Sequence, residues 1–244
     1  MQPEDLLDVA AFHRLGVVQY ADNMPLAGLS GAELSALKTK AHGLGIKIEL
    51  GKQSFIASEL ARYIDIAVGL DAKILRVALD GPDAAKPVDR LAVEFRPLVA
   101  LANAAGLRIA IENHFNYPSL QLVDLLRAID DDAVGICLDV ANSICAGEWP
   151  SETVEILADD TINLHLKDYV IVPDPFGVGF VIHGCPLGQG RTDCRAVLDA
   201  LPTCDMSIIL EHWLPRQDNM SAARAAEHAW LAQSVTFARD TLGL

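Results

Sequence analysis

No two of the five cysteines, Cys137, Cys145, Cys185, Cys194 and Cys204, stand in CxxC spacing, and their number is odd. That argues against a disulfide framework and a thiolate zinc cluster, and for reduced thiols in a cytoplasmic protein. Positive charge is scarce too. Lys and Arg number 19 against 33 Asp and Glu, a net charge of −14. Such a surface repels phosphate backbones, so nucleic acid is not an expected partner. No apolar run is long enough to cross a bilayer. The start, MQPEDLLDVAAFHRLG, lacks the basic beginning and apolar centre of a signal peptide, so no membrane partner is expected. No GxGxxG follows the first apolar run, which argues against an open dinucleotide-binding sheet.

The 244 residues are 51% hydrophobic and 21% charged, which describes a globular chain. Apolar runs begin near residues 16, 46, 73, 107, 134, 162 and 206, with helical patterns between them. Strands alternating with helices at this spacing predict βαβ units and a parallel sheet. Nearly every run ends in polar residues: Asp22 and Asn23, Glu49, Arg76, Glu112, Asp139, His165, Glu211. A site fed by many strand ends is the arrangement of a (β/α)8 barrel, so one α/β barrel domain is expected over 1–244. The chain opens on a helical pattern, and only seven strands are counted. The first barrel strand is therefore expected to be missing, either because the chain is shortened at its start or because the barrel is incomplete and something else fills the gap. Residues 169–193 add a β-hairpin after the seventh barrel position, around Pro173-Asp174-Pro175, expected to be a lid or a subunit contact.

The stretch Leu107–Asn142 organises the chemistry. Two apolar runs, Leu107–Ile111 and Val134–Leu138, each end in an acid, Glu112 and Asp139. The runs INLHLKD and MSIILEHW then bring His165 and Lys167, and Glu211. Glu112, Asp139, His165 and Glu211 offer three carboxylates and an imidazole. That set suits one divalent ion, Mn, Mg or Co in first place and Zn in second, with positions left for substrate oxygens. Two glutamates facing such a site can take a proton from one side of a carbon and return it from the other, so Glu112 and Glu211 are candidate catalytic residues. Lys167 shares a strand face with His165 and is the candidate for stabilising an oxyanion; the competing reading pairs it with Asp168.

His114, Asn142 and Trp213 stand next to ligands and are candidate substrate contacts, as are Glu49, Arg76 and Arg191. For Glu49 and Arg76 a buried ion pair inside the barrel is the favoured reading. The Gly188-Gln189-Gly190-Arg191 loop is either an anion cradle or a plain turn.

Five segments carry a resemblance across nearly the whole chain: Ile111-Glu112-Asn113-His114, Cys137 to Asn142, Leu164-His165-Leu166-Lys167-Asp168, Pro186 to Gly190, and Leu210-Glu211-His212-Trp213. They resemble the xylose-isomerase-like barrel superfamily of sugar-phosphate isomerases and epimerases. The resemblance implies one divalent metal on the four ligands and Glu112 and Glu211 as the acid/base pair. It departs from the ketose 3-epimerases where Asn142 replaces a histidine and where Tyr169–Asp174 holds no arginine. The His-Leu-Lys-Asp run is more similar to the inosose dehydratase branch. Abasic-site endonucleases share the barrel but need a three-metal cluster with more histidines. The expected activity is thus isomerisation or epimerisation of a small sugar or keto-polyol, by proton abstraction beside a carbonyl held by the metal. A lyase or dehydratase using the same site is the alternative. The expected partners are a small carbohydrate and a second copy of the chain.

Overall fold

The computed structural model describes residues 2–202 and 206–244; Cys204 lies outside them. Six strands follow one another with helices between: β1 (Val17–Tyr20), β2 (Lys47–Lys52), β3 (Ile74–Ala78), β4 (Arg108–Glu112), β5 (Val134–Asp139) and β6 (Thr161–Leu166). A hairpin comes next, β7 (Asp168–Pro173) and β8 (Phe180–Cys185), and then β9 (Ser207–Leu210). Strands β1 to β6 and β9 pair in parallel, in chain order, as a nearly closed barrel of seven. The helices are α1 (Pro3–Phe12), α2 (Gly31–Leu44), α3 (Ala57–Gly69), α4 (Val88–Ala104), α5 (Ser119–Ile129), α6 (Pro150–Leu157), α7 (Cys194–Ala200) and α8 (Met220–Phe237). Local signals set several of their ends. Ser30 and Glu33 form a reciprocal capping box at the start of α2, and Gly45 takes the left-handed conformation that ends it.

Alternation along the strands sorts side chains into two cores. Ile48, Leu50, Leu75, Val77, Ile109, Ile111, Ile136, Leu138, Leu164 and Leu166 belong to the large core. That is the layer between sheet and helices, and it accounts for the near-continuous apolar character of the strands. Ile74, Ala110 and Cys137 form a small separate cluster. They alternate with the outward set and so belong to the barrel interior.

One irregularity decides the face of the whole sixth strand. Ile136 pairs with Thr161, but Cys137 pairs with Asn163, so Ile162 is an extra residue. Gly135 makes room for it, since a Cβ there would stand 2.7 Å from the Ile162 side chain. The bulge puts Asp139 opposite His165. Without it, Asp139 would face Leu164, and every polar side chain of β6 would turn outward.

The missing first strand shows as a seam. No ladder joins β1 to β9 among the described residues, although the two strands lie close. Leu6 and Val9 of α1 and Leu231 of α8 flank this seam, where two cavities of about 340 and 210 Å3 lie. No described helix is long and apolar enough to cross a membrane.

Candidate metal centre

Four successive strands of the ladder, β4, β5, β6 and β9, end at one point. Ligand atoms of Glu112, Asp139, His165 and Glu211 all lie within 4.8 Å of one another. His165 Nδ1 lies 2.8 Å from Glu211 Oε2 and 3.5 Å from Glu112 Oε1. Three of the four are buried, whereas the Glu211 side chain is 38% exposed, so the centre opens to solvent on its side.

Each ligand is held by its neighbours. Asp139 Oδ1 accepts from the backbone N–H of Ala141 (2.9 Å) and Asn142 (3.0 Å), which turns Oδ2 inward. Asn113 ties the ends of β4 and β5: its Nδ2 donates to the Asp139 carbonyl (2.8 Å) and its Oδ1 accepts from the Asp139 N–H (2.7 Å). Asn142 Nδ2 donates to Glu112 Oε1 at 3.0 Å. His165 Nε2 meets Gln19 Oε1 at 2.8 Å. Gln19 is oriented in turn, because its Nε2 donates to Glu49 Oε2 (3.1 Å) and Asn163 Oδ1 (3.2 Å). A metal-binding imidazole needs such a partner on its far nitrogen, which fixes tautomer and ring angle.

The residues present fit a divalent ion. His165 Nδ1 and Asp139 Oδ2 are buried and aimed into the centre, where the groups they meet are its own charged side chains, Glu211 and Lys167. Donor atoms of four residues that converge in this way are what a bound ion requires. Three carboxylates and one imidazole are the donors of a hard or borderline divalent metal rather than of a structural zinc.

Two permanent cations stand inside this acidic set. Lys167 is buried, with Nζ 2.5 Å from Asp139 Oδ2, 2.9 Å from Glu211 Oε1 and 4.7 Å from the centre of the Trp213 ring. Arg76 Nη1 lies 3.4 Å from Glu112 Oε2. Burial favours the protonated form of Glu112, but Arg76 and His165 outweigh it and hold the carboxyl near 2. For Asp139 burial prevails over Lys167, and the carboxyl is pushed up to about 6. Burial disfavours charge on Lys167, yet Asp139 and Glu211 keep it protonated.

The structure places the remaining sequence candidates unevenly. Asn142 and Trp213 join the centre. His114 stands at its rim, bound to Asp80 at 2.7 Å and tilted against Phe115, whose ring centre is 6.0 Å from that of Trp213. The expected Glu49–Arg76 ion pair does not form. Gly51, not Glu49, lies opposite Arg76 in the ladder, and Ala110 lies on its other side. Arg76 therefore starts two residues above Glu49 and reaches upward to Glu112, passing Gly51, where a Cβ would stand 3.1 Å from the guanidinium. Glu49 is instead buried below the ligands, accepting from Gln19, Asn163 and Ser207. Lys167 does not pair with Asp168. The Asp168 carboxylate accepts from the N–H groups of Tyr169, Gly188, Gly190 and Thr192, so the glycine loop does cradle an anion, but one from its own chain. Arg191 is exposed and lines a cavity between α6 and α7 that contains none of the four ligands. Asp22, at the end of β1, binds Lys52 rather than the centre. Gln19, Asn163, Ser207, Asn113 and Asp80 are the residues the sequence reading missed. Two had a signal: Gln19 is a polar residue inside the apolar run of β1, and Asn163 lies two residues before His165 and so on the same strand face.

The model of the xylose isomerase-like TIM barrel matches residues 17–239. The chain belongs to that family. Within the xylose isomerase-like barrels, it is 31% identical over 234 residues to the 3-oxo-isoapionate decarboxylase of Pectobacterium atrosepticum, covering 95% of this chain and 85% of that one. Two solved structures share the fold. A xylose isomerase-like barrel from Mycobacterium smegmatis in complex with magnesium superimposes with a TM-score of 0.71 at 19% identity, over 96% of this chain and 88% of that one. The D-psicose 3-epimerase of Clostridium cellulolyticum H10, solved with D-tagatose, gives 0.72 at 15% identity, over 95% and 92%.

Proposed function

We propose that this chain is a divalent-metal-dependent lyase that removes a carboxylate as CO2 from a small polyhydroxylated 3-keto acid. The observation that carries the reading is the pair of permanent cations, Arg76 and Lys167, among the ligands. With a divalent ion bound and His165 neutral, the ion, Arg76 and Lys167 exceed the three ligand carboxylates by one, and the buried Glu49 carboxylate stands one layer below, behind Gln19. Such a site favours an anionic substrate over a neutral sugar and stabilises the enolate that follows. The decarboxylase relative supports this reading.

A divalent ion on Glu112, Asp139, His165 and Glu211 supplies a Lewis acid for the ketone oxygen. Lys167 holds its ammonium beside the oxygen that becomes negative, fixed by Asp139, Glu211 and the Trp213 face. Arg76 compensates Glu112, so that this ligand does not repel the arriving acid. The bond between the second carbon and the carboxylate carbon breaks, its electron pair passes into the ketone, and CO2 leaves. The same carbon then takes a proton from the side on which Glu211 meets solvent.

A second reading, epimerisation or isomerisation, uses Glu112 and Glu211 as the acid/base pair; their carboxylates reach the centre from two different strands, at 3.5 and 2.8 Å from His165 Nδ1. One experiment separates the two: 3-keto aldonates and ketoses offered to the metal-loaded chain in D2O. Release of CO2 supports the lyase. Deuterium uptake with the carbon count unchanged supports the epimerase and overturns the lyase. Neither product on either panel sinks both.

A further inference from the structure

The mouth of the barrel has two unlike sides. On one, Phe115 after β4 meets Trp213 after β9, with ring centres 6.0 Å apart, and Trp213 in turn faces Lys167. This aromatic pair joins the two strand ends that flank β5 and β6. On the other side polar contacts link the loops after β1, β2, β3 and β4 in series. The Gln53 N–H donates to Asp22, and the Gln53 amide donates to Asp80 Oδ2 at 3.2 Å. Asp80 Oδ1 meets His114 Nδ1 at 2.7 Å and accepts from Asn116 Nδ2 at 3.3 Å. An aromatic wall beside a hydrogen-bonding rim suits a polyhydroxylated chain, whose C–H groups are apolar and whose hydroxyls are not.

One atom of this rim is unused. His114 is buried, yet its Nε2 makes no hydrogen bond among the described residues and is not sealed from solvent. The Asp80 carboxylate accepts, so Nδ1 carries a proton, and the neutral ring keeps its lone pair on Nε2. His114 stands two residues after Glu112, no more than about 7 Å further along the chain. We propose that Asp80 and His114 form a subsite for one hydroxyl at the uncharged end of the substrate. His114 Nε2 accepts from that hydroxyl, and Asp80 is the residue that positions the ring.

The subsite rests on the reading of the substrate as a polyhydroxylated keto acid, and charge sets the direction in which such an acid lies. Arg76 and Lys167 stand among the ligands and draw the carboxylate to them. Asp80 at the rim repels it, so the hydroxyl end lies against His114. The same histidine also ties the β3 and β4 loops together, and two amide substitutions separate that tie from the subsite. His114→Asn puts an amide where Nδ1 stands and keeps the bond to Asp80, with nothing at the Nε2 position. His114→Gln puts an amide at the Nε2 position and gives up the bond to Asp80.

The test is binding to the metal-loaded full chain, read by rapid-mixing tryptophan fluorescence, with circular dichroism and metal content as controls on folding. The probes are a six-carbon 3-keto aldonate and D-fructose, each beside analogues that lack one hydroxyl beyond the ketone. In the wild type one analogue is expected to bind about tenfold more weakly than its parent, the loss of one hydrogen bond. His114→Asn is expected to abolish that difference and His114→Gln to keep part of it. Asp80→Ala is expected to shrink it, and Asp80→Asn, which keeps an acceptor oxygen, to restore it. A wild type indifferent to every missing hydroxyl overturns the proposal. So does a preference that survives His114→Asn and vanishes in His114→Gln, which is the pattern of a loop tie alone. Binding is read rather than turnover, so a chain that releases no CO2 strikes the lyase reading and leaves this result standing.

Discussion

Gln19 Oε1 stands 2.8 Å from His165 Nε2, on the side of the ring opposite the other metal ligands. With Nδ1 given to the metal, Nε2 carries the proton and donates to Gln19, and Glu49 and Asn163 hold the amide so that its oxygen faces the ring. Gln19→Leu is expected to lower metal affinity by about 10- to 100-fold, read by competition with a chelating dye. Gln19→Glu keeps an acceptor in place and is expected to retain most of it. Equal affinity in all three proteins would remove Gln19 from the site.

Metal uptake is expected to depend on pH in a definite direction. Only ionised Asp139 and neutral His165 can ligate. In the metal-free chain burial pushes Asp139 up to about 6, more than Lys167 lowers it. Burial opposes charge on His165, but the Cys137 sulfur and the Glu112 and Glu211 carboxylates outweigh it and raise the ring well above its ordinary value. Both groups must lose protons to bind, so affinity falls by about tenfold per pH unit as pH drops through the raised value of His165, and more steeply below about 6, where Asp139 takes its proton too. Proton release measured on titrating the metal-free chain with metal checks this; a pH-independent affinity contradicts it.

Chelation of the metal is expected to abolish turnover and lower the melting temperature, because an ion that binds only the folded chain stabilises it by mass action. Asp139→Asn and Glu211→Gln are expected to bind less than the wild type under equal conditions. Full occupancy in both variants would mean that the ion lies elsewhere.

Lys167→Met removes the one ammonium beside the developing charge. A loss of about 10²- to 10³-fold in kcat is expected, with a smaller change in KM. Arg76→Gln is expected to act on KM, raising it for keto acids more than for neutral ketoses. Equal effects on both substrate types would remove the charge argument for an acidic substrate.

Asp168→Ala strands four N–H groups that now share one carboxylate, those of Tyr169, Gly188, Gly190 and Thr192. Urea unfolding is expected to show a loss of about 3 kcal/mol, since such charge-assisted bonds are among the stronger ones. Gly190→Ala is expected to act alike, because its Cβ would collide with Asp168. A change within the range of an ordinary surface substitution would sink this account of the loop.

These details differ in how far the sequence foretold them. Strand order, the seven-strand barrel and the hairpin were legible because the spacing of apolar runs and turn residues records them directly. Glu112, Asp139, His165 and Glu211 could be grouped because each stands at the end of its own strand. Pairing between strands was not legible. Register depends on the stagger of a closed barrel and on the Ile162 bulge, and neither leaves a mark in local alternation. Hence local alternation offers Glu49 as the partner of Arg76, two residues too low, and does not single out Gln19. Asp168 was equally hidden, since its partners are backbone groups of a loop about twenty residues away.

The seam between β1 and β9 has a consequence for how the molecule tolerates damage. All four ligands come from β4, β5, β6 and β9, which form one uninterrupted ladder. From the far lip Gln19 reaches the His165 ring, and Glu49 behind it holds Asn163 and Ser207. The barrel thus behaves as a clasp rather than a ring: prising the seam apart slackens the tilt of one imidazole but leaves the ligand set assembled on its own half.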